Sequence, residues 1–226
     1  MDKKNYLEKD RSYFINARLD LINLMPLYPL QKVLEIGMGG GDTLVHIKKN
    51  NLAAEVTGID IMKLPGTNQD NSLIDKILFL DVDKVSLPFS NDYFDVIIAG
   101  DVLEHLIDPW KVIENMTAIL KPGGCIIVSL PNIRDIYALY PIFLKGKFEY
   151  AERGIFDKTH FRFFCKIDMI KLIENGGGLK IENIMPIHNF GKKQYKRKIF
   201  NRLTLNIFEE FVTSQYLFKA VKVKDL

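Results

Sequence analysis

Cysteine is scarce in this chain. Its 226 residues hold two, Cys125 inside an apolar run and Cys165 beside aromatics. Two isolated thiols rule out a disulfide framework or a zinc knuckle and fit a reducing, cytoplasmic setting. Long apolar runs are also missing: no stretch approaches the ~20 residues that a membrane span needs. The opening "MDKKNYLEKDRSYF" lacks the apolar core of a secretion signal. Neither sign of charge dominates, with 31 Lys and Arg against 28 Asp and Glu. A net charge of +3 gives no reason to expect nucleic acid as a partner. Repeats and low-complexity linkers do not occur. At 47% hydrophobic and 26% charged residues, the expectation is one globular domain spanning 1–226.

Within that composition, short apolar runs alternate with helical patterns. "KVLEIG" (32–37), "EVTGID" (55–60), "KILFLD" (76–81), "YFDVIIAGD" (93–101) and "CIIVSLP" (125–131) read as strands. "DTLVHIKKN" (42–50) and "PWKVIENMTAIL" (109–120) read as helices, the second with a first-turn proline and stopped by "KPGG". Strand–helix alternation predicts an α/β fold, a parallel sheet covered by helices on both faces. Further on, "KIDMIKLIENGGG" (166–178) reads as an amphipathic helix, and "KIFNRLTLNIFEEF" (198–211) as helical. "LKIENIMPIH" (179–188) and "SQYLFKAVKV" (214–223) read as two strands pairing antiparallel at the sheet edge.

Ligands of such sheets sit beyond the carboxyl ends of the strands, and the unusual residues of this chain cluster there. "VLEIGMGGGDT" (33–43) puts four glycines into five positions directly after the first strand. Gly37, Gly39 and Gly41 let the main chain approach a ligand with no β-carbon in the way. Asp60 follows Gly37 by 23 residues, at the end of the second strand, where a carboxylate can accept from two ribose hydroxyls. A dinucleotide and S-adenosylmethionine both carry that ribose. The dinucleotide pattern G-x-G-x-x-G would need glycine at position 42, where Asp42 stands and would repel a pyrophosphate. A cationic sulfonium suits the acids Glu35, Asp42 and Asp101.

The stretches "VLEIGMGGG", "VTGID" and "LDVDKVSLPFSNDYFDVIIAGDVLEHLIDPWKVIENMTAILKPGGCIIVSLPN" resemble the successive motifs of class I S-adenosylmethionine-dependent methyltransferases, over roughly residues 30–190. That resemblance implies a Rossmann-like, seven-stranded and mostly parallel sheet with an antiparallel last strand. It implies S-adenosylmethionine as cofactor and S-adenosylhomocysteine as product. It also implies roles: Glu35 and the glycines near the methionine part, Asp60 on the ribose, Asp81 with Val82 at the adenine, and Gly100 with Asp101 at the methionine end. Residues 1–30, with Tyr13 and Arg18, would form a helical cap over the cofactor.

Two histidines are candidates for a general base. His105 in "DVLEHL" follows the fourth strand closely, and imidazole titrates in the useful range. "D-V-L-E-H" also resembles the E-x-x-E-H metal motif of certain O-methyltransferases, but Asp101 replaces its first glutamate and no further histidine cluster shows in the sequence. No metal is therefore expected. His160 lies in "GKFEYAERGIFDKTHFRFF" (146–164), an aperiodic stretch inside a segment, 132–165, that reads as a substrate-side insertion or lid. Its "D-x-T-H-x-R-F-F" part resembles a methyltransferase branch associated with surface-glycan and sugar modification. Tyr150, Arg153, Asp157 and Arg162 are candidates for gripping a polar acceptor. A purely structural reading instead pairs Asp157 with Arg162 and places Phe161, Phe163 and Phe164, together with Trp110 and Cys125, in the core.

The expected reaction is methyl transfer to a small polar acceptor, first of all a hydroxyl of a nucleotide-linked sugar or glycan. The alternatives are a nicotinamide-dependent oxidoreductase, an inactive cofactor-binding scaffold, or metal-assisted O-methylation. A basic segment at 190–212, containing "GKKQYKRKIFNR", could meet a substrate diphosphate or an anionic membrane, although solvated surface is its commonest role. The oligomeric state is not legible.

Overall fold

The computed structural model describes residues 15–188 and 194–223; Tyr13 and the start of the basic segment lie outside them. Seven strands form one sheet: β1 (Lys32–Ile36), β2 (Glu55–Asp60), β3 (Lys76–Phe79), β4 (Phe94–Gly100), β5 (Leu120–Pro131), β6 (Leu179–Ile187) and β7 (Gln215–Lys222). Their spatial order is β3-β2-β1-β4-β5-β7-β6. The first five run parallel, and β7 enters antiparallel between β5 and β6. The order reverses at β1 and β4, so the crevice lies beyond the carboxyl ends of those two strands.

Helices cover both faces, so the central strands are apolar on both sides. In β4, Ile97 and Ala99 join a core with α3 (Pro109–Ile119) and α5 (Lys166–Glu174), through Ile113, Met116, Met169 and Leu172. Val96 and Ile98 face the other core, with α1 (Leu19–Ile22) and α2 (Asp42–Lys49), through Leu21, Leu44 and Ile47. The two-residue period of a strand sends neighbouring side chains into separate cores. Asp108 caps α3 by accepting from the Lys111 N–H at 3.0 Å, and Pro109 occupies the first turn. β5 starts earlier than its apolar run: Leu120 already pairs with Phe94, a register shift follows, and Gly123 takes φ +81°.

Three further helices lie between β5 and β7 in the chain. α4 (Ile136–Lys145), with Pro141 inside it, stands at the start of the segment read as a lid. α6 (Gln194–Leu203) and α7 (Glu209–Val212) occupy the basic region. A buried bidentate pair joins them: Arg197 donates from Nη1 and Nη2 to Asp135 at 2.5 and 3.0 Å, and Asp135 also accepts from the Tyr137 N–H at 2.8 Å. Asp135→Ala leaves the Arg197 charge buried without this carboxylate, a loss that typically costs about 3–5 kcal/mol. A lowered urea midpoint, with near-unchanged stability in Asp135→Glu, is the expected result of equilibrium unfolding.

Candidate active site

Beyond the ends of β1 and β4 lies a cavity of about 450 Å³. Its walls come from the N-terminal segment (Asn16, Arg18), the glycine loop (Gly37, Gly39), β4 and the turn after it (Gly100, Asp101, Glu104), the 146–164 stretch (Gly154, Ile155, Asp157, His160) and the start of β7 (Ser214, Gln215). A smaller cleft of about 50 Å³ runs over β2 and β3, lined by Asp60, Asp81, Val82, His105 and Leu106. Gly37, Asp101 and Val102 line both, so the two form one elongated crevice.

The glycines act differently from one another. Gly37 takes φ +70°, and a β-carbon there would stand 2.4 Å from Val102 Cγ2. Gly39, at φ +52°, lines the large cavity, and its N–H donates to Asp60 Oδ2 at 2.9 Å. Gly41 lies off the crevice: it caps α2 at φ +84° and abuts Ile74 and the Asn68 backbone. Gln69, which sequence reasoning passed over, holds the loop by donating to the Gly39 carbonyl at 2.7 Å and accepting from the Leu64 N–H.

Asp60 is buried at the crevice. Burial raises its pKa to about 6, against the opposing effect of the Gly39 and Met62 N–H groups. Burial likewise lifts Glu35 to about 8, partly offset by Thr43 and Arg18, and its Oε2 has no hydrogen-bond partner. Asp81 is held below the ordinary carboxylate value: burial works against this, but the Lys84 ammonium 2.9 Å away and the Asp83 N–H prevail. Asp101 adopts φ +56°, a left-handed conformation uncommon outside glycine. Its carboxylate accepts from Arg18 Nη1 at 2.5 Å, Ser129 Oγ at 2.8 Å and Gln215 Nε2. A β-carbon on Gly100 would meet Leu21 Cδ1 at 2.6 Å and Arg18 Nη1 at 3.2 Å, so both side chains would have to shift.

The 146–164 stretch is tied to the turn after β4. The Glu104 carbonyl accepts from the Phe161 and Arg162 N–H groups at 2.9 and 3.1 Å, and His105 Nδ1 lies 3.0 Å from the Thr159 carbonyl. His160 Nδ1 lies 2.9 Å from the Ile155 carbonyl. A carbonyl only accepts, so each Nδ1 carries a proton. This arrangement brings together His105, His160 and Glu104, a carboxylate that the sequence reading did not single out. One donor atom from each lies within 4.8 Å of the others, and all three residues are buried. Glu104 and His160 face the large cavity, whereas His105 faces the smaller cleft. Glu104 Oε2 has no hydrogen-bond partner; burial first, and the Asp101 charge second, raise its pKa well above the usual value.

Three candidate acceptor residues lie elsewhere. Tyr150 and Arg153 are exposed and off the cavity wall. Arg162 turns outward, donating to the Ile107 carbonyl at 2.5 Å and covering the half-exposed Trp110 ring. The expected Asp157–Arg162 pair does not form; Asp157 instead accepts from the Thr159 N–H and Oγ1 at 2.9 and 2.7 Å. Phe164 is buried and Phe161 half-exposed. Cys125 packs in the core.

A family model described as "Methyltransferase domain" matches residues 7–181. The chain belongs to this methyltransferase family. It is 26% identical over 168 residues to a demethylmenaquinone methyltransferase of Staphylococcus aureus, covering 66% of this chain and 68% of that protein. Among solved structures, the complex between the Haloferax volcanii Trm112 methyltransferase activator and a methyltransferase shares the fold at TM-score 0.67 and 16% identity, covering 99% of this chain and 95% of the other. A SAM-dependent methyltransferase from Archaeoglobus fulgidus does so at TM-score 0.62 and 18% identity, covering 97% of each chain.

The methyltransferase uses S-adenosylmethionine, and the residues present fit that cofactor. Glu35, Asp101, Glu104 and Asp157 face the large cavity, where Arg18 is the one fixed cation among the described residues. That balance suits a cationic ligand, as the Glu35 oxygen lacking a partner also does. Asp60 borders the cleft that leads to Asp81 and Val82, so one extended molecule can reach both ends. A nicotinamide cofactor is set aside by family membership.

An Asp60 that accepts from two ribose hydroxyls must be ionised. The contribution of Asp60 to cofactor affinity should therefore hold above pH ~6 and fall about tenfold per unit below it. Asp60→Ala should weaken binding more than about tenfold and flatten that slope between pH 5 and 7, as followed by calorimetric titration.

Proposed function

We propose that the methyl group is delivered to a hydroxyl of a polar acceptor, a nucleotide-linked sugar or glycan, with His160 as the base. The observation supporting this is that Glu104, Asp157, His160 and Gln215 line the large cavity, side chains able to hydrogen-bond a hydroxylated acceptor. Bound S-adenosylmethionine supplies a methyl carbon already activated by its cationic sulfur, so alignment and exclusion of water are the protein's main tasks. Arg18, held on Asp101 and Asp20, covers the methionine end. His160 Nε2 takes the hydroxyl proton as the acceptor oxygen attacks. Glu104 Oε1 lies 4.0 Å from that nitrogen, so a buried carboxyl group stands beside the imidazole that gains the proton.

The Staphylococcus aureus relative is named for a quinone substrate, so a demethylated quinone belongs beside nucleotide sugars in the acceptor panel. Release of S-adenosylhomocysteine identifies the acceptor. His160→Ala should then lower kcat about a hundredfold or more while leaving cofactor affinity intact. His105→Ala should act mainly on cofactor KM, because His105 lines the smaller cleft. A His160→Ala enzyme with undiminished turnover would remove the base assignment.

One observation favours a second reading, metal-assisted methylation. Two imidazole nitrogens and a carboxylate, all buried and within 4.8 Å of one another, form a donor set that a divalent ion accepts. If an ion belongs there, full-length protein retains about one equivalent of zinc or manganese after desalting and His105→Ala retains none, read by elemental analysis. Metal-free protein with full activity in the presence of EDTA would leave His160 as the base.

A further inference from the structure

We infer that Glu104 determines specificity by holding a second hydroxyl of the acceptor, next to the one that is methylated, so that the substrate is a vicinal diol. The inference rests on the hydroxyl acceptor and the His160 base proposed above.

The starting point is a count of buried oxygens. A buried polar atom without a partner is costly, and folded proteins leave few of them. Among the described residues, two such side-chain atoms belong to the wall of the large cavity, Glu35 Oε2 and Glu104 Oε2. The two residues are only 5% and 1% exposed. Glu35 comes from β1, directly ahead of the glycine loop, where Thr43 and Arg18 act on it. Glu104 comes from the turn after β4 and stands beside His160. S-adenosylmethionine brings one ammonium group, which this inference assigns to Glu35. The oxygen beside the base is then left for the acceptor.

Geometry sets what that acceptor must offer. Glu104 Oε1 and His160 Nε2 are 4.0 Å apart, too far for a hydrogen bond to each other. The Phe161 and Arg162 N–H groups bond the Glu104 carbonyl, so main-chain contacts hold the two residues at this separation. One hydroxyl has a single proton and cannot donate to an imidazole and a carboxylate together; two neighbouring hydroxyls can. A protonated Glu104 donating to the reacting oxygen would tie up an electron pair that attack on the methyl group requires. Its partner is therefore the neighbouring oxygen in either form.

Charge narrows the chemistry further. Burial, and then the Asp101 charge, raise the proton affinity of Glu104. A hydroxyl suits both forms, donating to the carboxylate or accepting from the carboxyl, whereas an ammonium only donates. Phosphate is disfavoured at this wall: Glu35, Asp101 and Asp157 share it, and Arg18 is already engaged by Asp101 and Asp20. In a nucleotide-linked sugar, the sugar enters and the diphosphate stays outside.

The test uses the full chain, S-adenosylmethionine and a panel of nucleotide sugars that includes UDP-glucose and GDP-mannose. For a sugar that is methylated, NMR locates the methyl group, and an analogue lacking the adjacent hydroxyl is compared with it. The parent is expected to favour the diol at least about a hundredfold in kcat/KM, because the analogue leaves Glu104 without its partner. Glu104→Leu should methylate diol and analogue at nearly equal rates. Its urea midpoint should match or exceed the parent's, since a buried oxygen without a partner has been removed. Glu104→Gln, which keeps the shape with a neutral group, should fall between the two in selectivity. A parent that uses diol and analogue alike, or a preference that persists in both variants, would overturn the inference and leave the His160 reading standing. A panel in which no sugar is methylated would remove the proposed acceptor and this inference with it. One equivalent of zinc or manganese held by the parent and lost in Glu104→Leu would also overturn it, the carboxyl then being a metal ligand.

Discussion

The crevice depends on how closely the chain passes itself where β1 and β4 end. Gly37 lies so near Val102 that any β-carbon would overlap a methyl group. This contact brings the glycine loop and the post-β4 turn together, and Gly37, Asp101 and Val102 become the floor shared by two clefts. Left-handed backbone at Gly37, Gly39 and Asp101 turns the chain sharply at the ends of the strands. A rigid, doubly covered sheet sustains these conformations, and the exposed strand ends carry the chemistry.

Electrostatics continue the same logic. Several carboxyl groups are buried around the crevice, and burial raises Glu35, Asp60 and Glu104 above their ordinary values. Such groups are costly in the empty protein and become favourable when a cationic, hydroxyl-bearing molecule arrives. Arg18 already plays part of that role through Asp101, and by reaching from the N-terminal segment it closes the cavity on one side. Glu104 and His160 extend the polar lining of the large cavity.

The sheet was legible because its central strands are buried on both faces and read as unbroken apolar runs, each closed by glycine or aspartate. The register shift at Leu120 was not, because "KPGG" reads as a plain turn. α4 escaped because Pro141 interrupts its helical pattern, although Asp135 and Gly146 mark its two ends. At the site, Asp60, Asp81 and the first glycines fell where their positions after strands implied. Glu104 did not: it stands beside His160, 56 positions away in sequence, because the Phe161 and Arg162 N–H groups hydrogen-bond to the Glu104 carbonyl. Local pattern carries no trace of that contact. Arg162 and Trp110 misled for the converse reason, since each covers the other at the surface.

The central claim is that one molecule spans both clefts across the Gly37–Val102 contact. A crystal structure with S-adenosylhomocysteine addresses it directly. The account predicts adenine beside Asp81 and Val82, ribose hydroxyls on Asp60, and the amino-acid end between Gly37, Gly100 and Asp101. A ligand lying wholly within one cleft, or an Asp60 turned away from the ribose, would contradict it.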